Sequence, residues 1–561
     1  MTPRLAAGRR WQATLIVVLV FVAVAGAALA GWWYARESPP HQGPLVLISV
    51  NGLSAGRLAA YGGNRVDTPA IDALAADSIV FDRAYTHSPQ TVPAHASMLS
   101  GRLPFEHGVR DDAGFVLDDD ARTLAELLRN RGFATGAAVS SFLLRRESGL
   151  AQGFSYFDAE LPEVEDQDAP AVERDGALTA DAAERWLNTQ GGQRFFLFVQ
   201  VGAAEADLVV GRLVQALKDR RLYDDATLIL TSDHGESASV VTLDEAALHV
   251  PLIVKQPGSD GAGRQIATAV QLIDIVPTVL DLVRAPMPSG LRGRSLRAVL
   301  DSEDSVLADQ PLYAESLAAT YRFGGQGVFA LTRGRHRFVS SGTEALIDLE
   351  QDGADIALDV PEAGRLRSEL ERVLAGRTVA RPAGMAAADE SHYAVLGYLP
   401  GARLASAPPA SADPGTADAL IGAQRAAAQL AGKHEYPAAI DRLRALARAH
   451  PALPIVHYQL ALVLARAERL DDAVPAFRAA ARLAPDAPEI PIALAGVLLR
   501  AGQHEDAATQ AALALALAER QAYDEPTVTR ARQLVAEAAL TPGDSGASLS
   551  TPVPPRSRTG S

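Results

Sequence analysis

Residues 86–101 read THSPQTVPAHASMLSG. A hydroxyl at Thr91, a helix-starting Pro93 and the small residues after it place that hydroxyl at a helix N-terminus, where free N–H groups and the macrodipole favour an anion. Taken alone, the stretch also describes a loop with Thr91 as N-cap ahead of a buried helix. Its surroundings weigh toward a site. Residues 45–50, LVLISV, form an unbroken apolar run of the kind a parallel strand buried on both faces requires, and Asn51-Gly52 follow it. Residues 227–231 are a second such run, and Ser232-Asp233-His234-Gly235-Glu236 follow that one. Open α/β sheets bind ligands beyond the carboxyl ends of their strands, so Asn51, Thr91, Asp233 and His234 are expected in one crevice.

The intervening chain keeps the same rhythm. A helix over 67–77 opens with Thr68-Pro69 as its cap and sets Ile71, Leu74 and Ala75 on one face; another is expected over 121–131. Strands at 134–139 and 194–201 and a helix at 207–221 complete a βαβ alternation, which implies a mostly parallel sheet sandwiched by helices.

LVLISVNGL, SPQTVPAHASMLSG, TSDHGE and DEAALHVPLIV occur in this order, followed by DIVPTVLD from Asp274 and GLRGRSL from Gly290. With these motifs the chain resembles sulfatase-like proteins of the alkaline phosphatase superfamily over residues 44–400. The resemblance implies their α/β fold, makes Thr91 the nucleophile, and puts Asp233 and His234 where metal ligands sit, with Asn51 beside them. His95, four residues after Thr91, is the further candidate for orienting an anion. Ester hydrolysis in this superfamily uses divalent cations, here Ca, Mg, Mn or Zn, to lower the pKa of the nucleophile and neutralise the transferring oxygens.

The same comparison exposes departures. Relatives with a Thr nucleophile read Ile-Asp-Thr-Leu-Arg-x-Asp after the first strand, whereas this chain has Asn51 in place of the first acid and Gly56 in place of the second. Ala238 aligns with a histidine, and only GAAEA stands between Val201 and Asp207, where relatives insert a segment that walls the cleft. Sulfatases convert Cys or Ser to an aldehyde within Cys/Ser-x-Pro-x-Arg; Thr91 is a secondary alcohol and cannot follow, and His95 replaces the arginine. A weakly held or absent cation and a catalytically impaired pseudoenzyme are the expectation. An active phosphate or sulfate ester hydrolase using Thr91 is the alternative, and a scaffold acting only through its C-terminal region is a third reading. His87, His107 and His249 are expected to be hydrogen-bonded structural residues.

The formal net charge of −15 argues against a nucleic-acid partner, and the absence of cysteine excludes disulfides and thiol catalysis. Arg4, Arg9 and Arg10 precede an uncharged apolar stretch. Residues 13–34 are therefore expected to form a transmembrane helix, with 1–12 cytoplasmic, Trp32, Trp33 and Tyr34 at the far interface, and the bulk of the chain on the extracytoplasmic side. A signal peptide cleaved near Ala28-Leu29-Ala30 is the rival, and it exports the chain equally. The sulfatase-like domain spans 44–377. Residues 378–418 are a linker rich in Ala, Pro, Ser and Gly that includes Leu396-Gly397-Tyr398.

Beyond the linker Ala439, Ala473 and Ala507 recur every 34 residues, as do Pro451 and Pro485. Residues 419–517 thus resemble tetratricopeptide repeats, an all-α domain whose groove implies a protein partner; a plain helical bundle is the alternative. Residues 518–540 are expected to be their helical end and 541–561 a disordered tail.

Overall fold

The computed structural model describes residues 41, 43–63, 67–162, 172–190, 194–236, 239–323, 325–351, 354–377, 393, 414–520 and 525–540. The expected anchor at 13–34, Ala238, Leu396-Gly397-Tyr398 and the tail from 541 lie outside them. Among the described residues no helix is long and apolar enough to cross a membrane.

The run at 45–50 becomes β1 (Leu45–Asn51), buried in all but its last residue. In chain order the strands that follow are β2 (Ile79–Phe81), β3 (Ala84–Tyr85), β4 (Ala134–Val139), β5 (Tyr156–Asp158), β6 (Phe195–Gly202), β7 (Thr227–Ser232), β8 (His249–Val250), β9 (Leu252–Lys255), β10 (Gln265–Ile266) and β11 (Val270–Gln271). Eight of these pair in the order β10-β2-β9-β7-β1-β6-β4-β5, and β11-β3-β8 form a small side sheet. From β7 to β5 the sheet is parallel. On the other side β9 runs antiparallel to β7, and β2 antiparallel to β9. The sheet is therefore mixed. The chain returns from β7 to β9 without the long crossover helix that parallel pairing needs.

Alternation along β1 feeds two cores. Leu45 and Leu47 join Val92, Met98 and Phe198 on one face, while Val46, Ile48 and Val50 join Trp186, Val210 and Leu213 on the other. Both faces are covered by helices, which explains why the run carries no polar residue before Ser49.

Three local expectations change. The helix Pro69–Ala76 is not capped by Thr68, which turns its hydroxyl to Asp72; the N–H groups of Ala70 and Ile71 donate instead to Asp207 Oδ1, each at 2.9 Å. The helix expected over 121–131 contracts to Leu124–Arg129, started by a Thr123/Glu126 capping box. A second sheet, absent from the reading of one parallel sheet, follows as an antiparallel meander: β12 (Leu312–Ser316), β13 (Val328–Arg333), β14 (His336–Ser340), β15 (Glu344–Asp348) and β16 (Ala354–Ile356). Its tight turn between Arg333 and His336 uses Gly334 at φ +57°. The helix Pro361–Leu374 covers it with Leu366 and Leu370.

Seven helices close the described chain: Pro414–Gly432, Tyr436–Ala449, Pro454–Arg466, Leu470–Leu483, Glu489–Arg500, His504–Arg520 and Glu525–Ala539. The first begins inside the segment read as linker. Ala439, Ala473 and Ala507 are each the fourth residue of a helix and each fully buried, where a methyl group lets the neighbouring helix approach closely. Phe477, also fully buried, meets Tyr458 edge to face at 5.7 Å between ring centroids. Ala417, Leu420 and Ile421 of the first helix share an apolar cluster with Ala318, Ala319 and Phe323 and with Val240 and Val241, so the array rests on the α/β domain just beyond the Asp233 turn.

Candidate functional site

Thr91 is the first residue of the helix Thr91–Ser100, and extended Gln90 is its N-cap, so the N-cap reading of Thr91 does not hold. The open N–H of Val92 donates to Asp112 Oδ1 at 2.8 Å. The chain thus presents its own carboxylate to the helix N-terminus that was expected to attract an anion.

Asn51 ends β1 and Asp233-His234 follow β7, directly alongside in the parallel register. Thr91 Oγ1 lies 3.4 Å from Asn51 Oδ1 and 3.5 Å from His234 Nε2. His234 donates Nδ1–H to the Gly235 carbonyl at 2.9 Å, which leaves Nε2 facing the crevice. Asp233 is fully buried; its Oδ1 accepts the N–H groups of Gly52 (3.1 Å) and His234 (2.8 Å). Its Oδ2 has no hydrogen-bond partner and lies 3.6 Å from His234 Nε2 and 3.7 Å from His95 Nδ1. Lone pairs on Asp233 Oδ2, His234 Nε2 and Asn51 Oδ1 therefore converge with only the Thr91 hydroxyl proton among them.

That arrangement fits one divalent cation, with Asp233, His234, Asn51 and Thr91 as its holders. It does not fit two, because one carboxylate cannot offset the desolvation of a pair of ions. Among the described residues no three His, Asp or Glu side chains stand close enough to hold a metal directly. Gly56, at the second acid's place, lies in an exposed 3-10 turn with nothing within 4 Å of where its side chain would start, outside this group.

His95 is wholly buried one layer below. Its Nδ1–H donates to the Thr91 carbonyl (2.7 Å), and its Nε2 accepts from Ser49 Oγ (2.9 Å). Burial holds its pKa below the usual histidine range, against the pull of Asp233. Both ring nitrogens are engaged, so His95 braces the helix bearing Thr91 and does not face the crevice. His87, His107 and His249 are each tied to protein groups: the Tyr313 carbonyl, the Ser97 hydroxyl and the Asp82 carbonyl.

The turn after β7 is built around two residues that a search for metal ligands passes over. Ser232 Oγ accepts the Leu53 N–H and lies 2.6 Å from the carbonyls of Val50 and His234. Gly235 approaches so closely that a Cβ there would lie 1.8 Å from the Ala246 carbonyl oxygen. Glu236 pairs with Arg57 at 2.7 Å at the mouth. At the other side β6 ends at Gly202 and passes through the single turn Ala203–Glu205 into the helix Ala206–Asp219, so no cleft wall rises there.

The sulfatase family model matches residues 44–203 and 201–285. Arylsulfatase K of Gallus gallus is 28% identical over 388 residues, 50% of this chain and 72% of that protein. Arylsulfatase K of Homo sapiens is 26% identical over 382 residues, 50% and 71% of the two chains. Among solved structures, a phosphonate monoester hydrolase of Agrobacterium radiobacter superposes with a TM-score of 0.51 at 21% identity, covering 59% of this chain and 95% of that one. A likeness of fold is what that last comparison carries.

Proposed function

We propose, from the sulfatase family model's match to residues 44–285, that the chain is a membrane-anchored member of that family whose domain binds a ligand or protein partner and hydrolyses esters poorly or not at all. The observation that carries this reading is the donor set around Thr91. It puts one carboxylate, Asp233, within direct reach of an ion, where a two-cation ester site needs several. A cation held by Asp233, His234, Asn51 and Thr91 would lower the pKa of the Thr91 hydroxyl and neutralise oxygens of a bound ester. The absent wall after β6 and the Asp112 carboxylate at the helix N-terminus both weaken the hold on an anionic ester. In this reading segment 13–34 anchors the chain, the domain lies outside the cytoplasm, and the C-terminal helices act as tetratricopeptide repeats that recruit a protein.

One observation favours the alternative of an active hydrolase: the Thr91 hydroxyl is 3.5 Å from His234 Nε2, close enough to be oriented by it. Assays with aryl phosphate and aryl sulfate esters separate the two. Turnover by the full chain is expected to be the same in wild type and Thr91→Ala. Turnover that disappears in Thr91→Ala would restore Thr91 as a working nucleophile.

A further inference from the structure

The crevice holds a second carboxylate that sequence spacing does not bring near it. Glu173 forms an isolated backbone bridge with Ser141, just past the end of β4, and its Oε1 stands where a side chain on Gly202 would begin, 2.7 Å from that Cβ position. Gly202 is the register partner of Asn51 across β6 and β1, and Asp233 stands on the β7 side of Asn51. Glu173 and Asp233 thus flank Asn51 from opposite strands.

The neighbouring acids are already engaged. Glu205 accepts the Gly176 N–H, and Glu236 is paired with Arg57, while Glu173 makes no hydrogen bond or ion pair among the described residues. Glu173 is an exposed residue, yet desolvation first, then Glu205 and Asp233, push its carboxyl above the usual range; the two nearby carboxylates are the causes its exposure leaves in place. Independently, the fully buried Asp233 leaves Oδ2 without a partner on the crevice side. The crevice carries uncompensated negative charge from two sides of Asn51.

We propose that Glu173 is the second carboxylate of the cation site, supplying the charge that neutral Asn51 withholds. Glu173 stands too far from the Asp233/His234 pair for one ion to touch all three, so it acts through water on the ion. The inference rests on the one-cation reading above but does not depend on whether Thr91 turns over an ester.

Calorimetric titration of the full chain in detergent with Mg2+, Ca2+ and Zn2+ tests it. Wild type is expected to bind one equivalent of divalent cation, Glu173→Gln to bind at least about tenfold more weakly, and Glu173→Asp to keep most of the affinity. Asp119→Asn, which removes an exposed acid elsewhere, is expected to leave affinity unchanged, and all variants to melt alike without cation. Unchanged affinity in Glu173→Gln overturns the proposal, as does an equal loss in Asp119→Asn. Wild type that binds no cation overturns this and the one-cation site together. Ester turnover dependent on Thr91, with Glu173→Gln still weakening the cation, overturns only the preceding reading.

Discussion

The ends of β7 and β6 face the same crevice and are built on opposite terms. After β7 the polar groups largely hold backbone: Asp233 Oδ1 accepts two N–H groups, Ser232 ties β1 to the turn, and Gly235 fits under a carbonyl, with Asp233 Oδ2 left over on the crevice side. At the end of β6 the acids divide: Glu205 accepts the Gly176 N–H, while Glu173 holds no backbone group among the described residues. Gly202 runs on into a helix, and Glu173 stands over it unpaired. The difference teaches that Asp233 and His95 are in place for reasons of folding as much as of chemistry. Their presence alone is weak evidence of catalysis. Glu173 alone of the acids at the β6 end is free of such duties among the described residues, so its charge bears on the ligand.

The largest contrast lies in the two glycines. Gly235→Ala would drive a methyl group into backbone at 1.8 Å and is expected to cost about 3–5 kcal/mol in denaturant unfolding. Gly202→Ala meets only the flexible tip of Glu173 and is expected to cost less than about 1 kcal/mol. Similar losses in both variants would break the contrast.

Acid should act through buried histidines. His87 and His107 are buried and neutral, their pKa values lowered by burial to about 4 and about 3, and that of His95 is lowered for the same reason. The unfolded chain binds protons at these histidines from about pH 6.5 downward while the folded chain does not. Their contribution is therefore complete above pH 6.5 and is lost as pH falls toward each folded value, at about 1.4 kcal/mol per unit per histidine. Glu173, raised above the usual carboxylate range by desolvation first and then by Glu205 and Asp233, works in the opposite sense. Urea midpoints should drop between pH 7 and 5.5, and the drop should shrink in His107→Gln. A flat profile would mean that these rings are not buried neutral.

The smallest expected effect sharpens the contrast at the shared residue. Asn51→Asp should tighten the cation about tenfold in calorimetry by adding charge between Asp233 and Glu173. No change would place Asn51 outside the ion's reach.

The strand centre of this fold could be read directly, because a run such as LVLISV has no other comfortable place than a sheet covered on both faces. Asn51, Thr91, Asp233 and His234 could be placed together for the same reason: each sits at a strand end or helix start whose position the sheet fixes. What stayed hidden depends on partners distant in sequence. Asp207 caps a helix that begins more than a hundred residues earlier, and Asp112 caps the Thr91 helix in place of Thr91 itself. His95 carries a ligand-like spacing, but its burial against Phe198 and Ser49 is visible only once β1 and β6 are paired. Glu173 has no motif around it, and only the bare Gly202 beneath it marks its place. The meander β12–β16 is hard to read for a different reason: its strands alternate only partly, and the Arg333-Gly334-Arg335-His336 turn is its one strong local sign.

This crevice is expected to hold one cation at most, and metal content per chain tests that most directly. Elemental analysis of the full chain, purified without chelator and dialysed against metal-free buffer, is predicted to find no more than one equivalent of divalent metal. Two tightly retained equivalents per chain would contradict the account.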